Sequence, residues 1–146
     1  MPITATTCVA IALAVVLFVL AMFHVWWAAG DRRGDSVAVP KVAGRPAFVP
    51  GRRATLVVAA LLLSAAAVAL AQGQLALAFL PRTPLSWAAM AAGSAFLLRA
   101  LGEFRLVGFF KRVRDSDFAR WDTWCFSPLC VAIGSAFWYL VYAGRS

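Results

Sequence analysis

The sequence predicts an all-α integral membrane bundle of four transmembrane helices, with a short amphipathic interfacial helix before the last span. Three observations carry this. The 146 residues are 63% hydrophobic with a mean hydropathy of +0.82, far more apolar than a soluble domain, where about a quarter of residues are charged. Four runs are long enough to cross a hydrocarbon core, which takes roughly 20 apolar residues at about 1.5 Å each. The basic residues, finally, sit almost entirely in two of the connections between those runs.

The spans are predicted at about 7–27, 54–71, 85–104 and 123–143, in a single domain covering residues 1–146. The first run ends in "WWAAG", as a secretory signal can. However, "MPITATTC" before it has no Lys or Arg to form a positive n-region, so the run reads as a mature span. Spans two and three contain "SAAAVALA" (Ser64 to Ala71) and "AAMAAGSA" (Ala88 to Ala95), in which Ala89 and Gly93 have small-xxx-small spacing. Small side chains let helix backbones approach closely in a solvent that offers no hydrophobic driving force.

Twelve of the 14 basic residues fall in the connections at about 30–53 and 105–122 or at the span ends beside them; Arg82 and Arg145 are the exceptions. The positive-inside rule then predicts a multi-pass protein of the cytoplasmic membrane, with both of those connections cytoplasmic and both termini outside. This distribution accounts for the net charge of +8 without a nucleic-acid partner. The predicted partners are membrane lipid, through anionic headgroups at the cytoplasmic face, and a second copy or another membrane protein.

The first basic connection is broken by Gly30, Gly34, Pro40, Gly44, Pro46, Pro50 and Gly51, so it is either an ordered hairpin or a loose loop, and not one helix. In the second, Leu106, Phe109, Phe110 and Val113 share one face of a helical wheel, with Arg105, Lys111, Arg112 and Arg114 elsewhere. That pattern predicts a helix in the headgroup layer with its basic side chains toward anionic lipid. Pro128 to Ala143 alone would make about 24 Å of helix, short of the roughly 30 Å core. Two starts remain open. Ser127 caps a helix with Pro128 at its first position, or the helix begins near Asp117 and kinks at Pro128.

This placement brings His24, Arg99, Glu103, Arg105, Arg120 and Asp122 to one depth at the inner boundary. Ionisable groups there normally face the bundle and pair. Arg99 and Glu103, four apart, are an expected pair, and Asp122 is expected to take Arg105 or His24. In the structural reading these ion pairs anchor the bundle, together with the indoles of Trp26, Trp27, Trp121 and Trp124. In the functional reading, the catalytic candidates His24, Glu103 and Asp122 line a pocket where the imidazole moves protons, with Trp27, Arg99, Arg105, Arg120 and Trp121 as ligand contacts. No metal-ligand pattern, cofactor motif, phosphate loop or nucleophile elbow is present in the sequence. Cys8, Cys125 and Cys130 lack redox or zinc spacing and read as packing residues.

Three motifs occur together: "HVWWAAG" (His24 to Gly30), "GRPAFVPGRRAT" (Gly44 to Thr55) and "GFFK...FARWDTWCFSPLC" (Gly108 to Cys130). The set resembles a family of small four-span bacterial membrane proteins catalogued only as a domain of unknown function. The resemblance covers nearly the whole chain, and the last motif is its specific part. A Gly pair usual after the first motif is Ala29-Gly30 here. The resemblance implies the fold and a membrane location and carries no activity. The motif positions in this sequence are His24, Trp27, Pro46, Pro50, Gly51, Gly108, Phe109, Lys111, Phe118, Trp121, Asp122, Ser127 and Pro128.

Overall fold

The computed structural model describes residues 4–30, 39, 41–42, 45–46, 51–76, 79–102, 104–112 and 116–144. Four helices, each long and apolar enough to cross a membrane, make up the fold: α1 (Ala5–Ala28), α2 (Arg52–Gln72), α3 (Arg82–Leu101) and α4 (Asp117–Ala143). In the first basic connection, Lys41–Val42 and Arg45–Pro46 form a two-residue antiparallel ladder; the rest of that connection, Val39 apart, lies outside the described residues up to Gly51.

The chain ends of the helices follow local chemistry. Thr4 caps α1 by accepting the Thr7 N–H on its hydroxyl at 3.2 Å, and Ser116 caps α4 by accepting from the Ala119 N–H at 3.1 Å. Asp117 then lies in the first turn, where a carboxylate complements the helix dipole. With this cap, α4 runs for 27 residues, about 40 Å, which resolves the shortfall left by counting from Pro128. Of the two starts considered, the structure has the one near Asp117.

Within α4, residues Asp122–Phe126 are wound as a π-helix, and the Ser127 N–H donates to the Asp122 carbonyl five residues back. Pro128 has no N–H, and in an uninterrupted α-helix its ring would press on the carbonyl four residues earlier. One wide turn immediately before it absorbs that conflict.

The helices pack as two close pairs, α1 with α2 and α3 with α4, with sparser contacts joining the pairs. Small side chains set both seams. Ala10, Ala14 and Ala21 of α1 and Ala66 and Ala69 of α2 share one buried core with Leu13, Leu17, Leu62, Ile133, Phe137 and Leu140. Ala89 and Gly93 are both buried, as their spacing predicts. Gly93 faces Gly134: a methyl group on Gly134 would lie 2.8 Å from the Gly93 carbonyl oxygen and 2.7 Å from Leu97 Cγ. The two backbones are therefore as close as side-chain-free residues permit.

The expected surface helix through Leu106, Phe109 and Phe110 does not form. Residues 104–112 run as bends and turns, and the helical part of this connection is Asp117–Trp121, continuous with the last span. α3 also stops at Leu101, short of the predicted 104, because Gly102 turns to φ +84°. Val113 and Arg114 lie outside the described residues.

Gly134→Ala is expected to lower stability by about 1–3 kcal/mol through overpacking, measured by unfolding in mixed micelles. Ala91→Leu, on the exposed side of α3, is expected to change it by less than about 0.5 kcal/mol.

Candidate functional site

The most elaborate polar arrangement among the described residues lies where the end of α3, the 102–112 lobe and the start of α4 converge. Two glycines shape the lobe. Gly102 and Gly108 have φ of +84° and +89°, values that glycine adopts freely and other residues resist. They also touch backbone to backbone: a Cβ on Gly102 would meet Gly108 Cα at 2.7 Å, and one on Gly108 would meet the Gly102 nitrogen at 2.6 Å. The lobe is closed by the Phe109 N–H donating to the Ala100 carbonyl at 2.9 Å and the Arg112 N–H donating to the Arg105 carbonyl at 3.2 Å. The glycine contact explains why the helical wheel failed here. The apolar period was present, but the backbone at both ends of it is held outside the helical region.

Closing the lobe aims the Gly108 N–H at Asp122, whose Oδ2 accepts it at 2.7 Å. Asp122 is 0% exposed. Its Oδ2 also accepts from Lys111 Nζ at 3.0 Å, and its Oδ1 accepts from Arg99 Nη2 at 2.9 Å. Lys111 is equally buried, at 2% exposed. Among the described residues its ammonium donates to Asp122, to the Gly108 carbonyl at 3.1 Å and to the Thr123 hydroxyl at 2.6 Å. The Thr123 hydroxyl in turn donates to the Ala119 carbonyl at 3.0 Å. Such a network is worth keeping only when each member is satisfied, because a buried charge without partners is strongly unfavourable. Two loose ends remain among the described residues, Arg99 Nη1 and the Ser127 hydroxyl, both buried without a hydrogen-bond partner.

These contacts correct two expected pairings. Asp122 takes Arg99, Lys111 and the Gly108 N–H in place of Arg105 or His24. Lys111 turns inward and does not face headgroups. The expected Arg99 to Glu103 pair falls on Glu103, which lies outside the described residues, while Arg99 spends its Nη2 on Asp122. Arg105 and Arg120 are exposed, as is Trp121.

His24 is part-buried and bonds within its own helix, with Nδ1 donating to the Leu20 carbonyl at 2.7 Å. Because a carbonyl only accepts, Nδ1 carries a proton. The ring meets Trp27 edge-on at 5.3 Å between centroids. Among the described residues, no three of His, Cys, Asp and Glu come together as a metal-ligand group.

Sequence reasoning did not single out Gly102, Thr123 or the inward turn of Lys111. A signal for the last was available: the chain has 14 basic residues, and only Lys41 and Lys111 are lysines. A compact ammonium with three rotatable donors suits a tight buried acceptor set, where a planar guanidinium does not.

Removing the carboxylate leaves the buried Lys111 ammonium and the part-buried Arg99 guanidinium without their shared counter-charge. Asp122→Asn is therefore expected to cost about 3–5 kcal/mol in mixed-micelle unfolding. Lys111→Met is expected to cost less, since Arg99 and Asp122 still balance. The double variant is expected to be more stable than Asp122→Asn alone, because one of the uncompensated charges is gone.

A family model described as "Protein of unknown function (DUF3995)" matches residues 16–137, a range that contains His24, Arg99, the lobe and Asp122. No curated protein and no solved structure matches the chain.

Proposed function

The chain belongs to the DUF3995 family of proteins of unknown function, and on that premise we propose that it is a non-enzymatic accessory or scaffold protein of the cytoplasmic membrane. The observation that carries this reading is the commitment of Asp122. A carboxylate that is fully shielded and already holds three donors offers no face for a substrate proton, and a general base must reach the proton it abstracts. The network ties helices together and serves as a structural pin.

The pinned end is the cytoplasmic one in this reading. Among the described residues, Arg52, Arg53, Arg99, Arg105, Lys111, Arg112 and Arg120 gather there, against Arg82 at the opposite end. Such asymmetry marks the cytoplasmic side. Exposed aromatic side chains occupy both ends, Trp26, Trp121 and Trp124 at one and Phe79, Trp87 and Tyr142 at the other, as in the interfacial belts of membrane proteins.

One observation favours a second reading, a small membrane-embedded enzyme or carrier acting on a lipid or amphipathic molecule. Among the described residues the Nε2 of His24 makes no hydrogen bond while its Nδ1 is fixed, an arrangement open to proton transfer. A complementation assay separates the two. The accessory reading predicts that His24→Ala, at equal protein level, keeps the full cellular phenotype and that in-membrane cross-linking from Leu98 captures a neighbour. Loss of phenotype with His24→Ala, or a monodisperse monomer with no captured neighbour, contradicts it.

Orientation is tested by labelling single cysteines in a version lacking Cys8, Cys125 and Cys130. Gln74→Cys, in the turn after α2, is expected to react with an impermeant maleimide in intact cells. Arg120→Cys is expected to react only after permeabilisation.

A further inference from the structure

The lobe has a second surface, turned away from the Asp122 pin. Its closure brings residues 104–105 beside 110–112, since the Arg112 N–H bonds the Arg105 carbonyl. Lys111 is drawn inward, so the cations left on the outside of the described lobe are Arg105 and Arg112, both exposed. Next to them the rings of Phe104 and Phe110 lie 6.2 Å apart between centroids and are 61% and 59% exposed. Phe104 is held at φ +65°, an outlying conformation for a bulky side chain, and its ring is nonetheless turned outward. Below this surface, Arg99 Nη1 is buried without a hydrogen-bond partner.

We propose that the outer surface of residues 104–112 is a binding site for an anionic membrane lipid, with its phosphate held by Arg105 and Arg112 and its acyl region packed on the Phe104 and Phe110 pair. Guanidinium groups chelate phosphate oxygens in pairs, and positive charge at the membrane surface favours anionic headgroups. A soluble phosphate would use the arginines but leave two phenyl rings in water. A lipid uses both halves of the surface, which is the reason for choosing it.

This inference rests on the reading above that places this end in the headgroup layer. The test is lipid retention. Full-length protein is reconstituted in vesicles of equal phosphatidylcholine and phosphatidylglycerol and extracted in mild detergent, and the co-purifying lipid is quantified. The wild type is expected to retain phosphatidylglycerol preferentially. Arg105→Gln with Arg112→Gln is expected to reduce that preference by about tenfold or more, and Phe104→Ala with Phe110→Ala to reduce total retained lipid. Both pairs are exposed and outside the pin, so the fold is expected to survive.

Equal retention of the two lipids by the wild type overturns the proposal, as does an unchanged preference in the double arginine variant. A second arm adds inorganic phosphate to protein in phosphatidylcholine-only nanodiscs. A thermal shift there that the arginine variant abolishes reassigns the site to soluble phosphate and also overturns the lipid claim. Neither arm depends on orientation or on a protein partner. Failure here, with cysteine labelling as expected, removes the lipid site and leaves the accessory reading standing.

Discussion

A fully buried carboxylate survives in an apolar bundle only if its charge is answered on the spot. At Asp122 the answer comes from three separate parts of the chain: the guanidinium of Arg99 at the end of α3, the ammonium of Lys111 in the lobe, and the Gly108 backbone N–H. None of these can be moved without exposing the cost of the others, since breaking a buried charged set is far more unfavourable than replacing it outright. The carboxylate therefore fixes where α3 ends, how the lobe folds and where α4 enters the bundle.

Several backbone features follow from that constraint. The Gly108 N–H reaches Asp122 because Gly102 and Gly108 can turn to positive φ and lie against each other, closer than side chains would allow. The π-turn from Asp122 to Phe126 accommodates the missing N–H of Pro128 and begins at the same residue that gathers the donors. On the other side of α4, Gly134 lets the helix lie directly on Gly93. The α3 and α4 pair is thus held at one end by charge and along its length by close packing. The α1 and α2 pair relies on its alanine seam.

The bundle was legible in the sequence because hydropathy and span length are local properties. Spans read at 7–27 and 54–71 become α1 and α2 within two residues at each end. The last span depended on length arithmetic, and Ser116 supplied the cap that the arithmetic required. The pin was only half legible. Arg99 and Asp122 stand out in the sequence as ionisable residues at one depth, but spacing along one helix points only to pairs such as Arg99 and Glu103, and Glu103 lies outside the described residues. The partner that the structure shows for Arg99 is 23 residues away, and the lobe beside it depends on a glycine contact that leaves no periodic trace. Lys111 was misread for the same reason: on a helical wheel it belongs with the arginines, and only a non-helical lobe turns it inward.

Of the catalytic candidates, Asp122 is the one that the pin commits, to Arg99, Lys111 and the Gly108 N–H. The most direct test of this account is hydrogen exchange, by mass spectrometry, of the full chain in nanodiscs, comparing wild type with Asp122→Asn. If Asp122 holds the lobe on α3 and α4, the amides of Gly108 and Phe109 exchange slowly in the wild type and much faster in the variant, while α1 and α2 keep their protection. Unchanged protection at Gly108 and Phe109, or an equal loss across all four helices, would contradict the claim that this one carboxylate organises that end of the bundle.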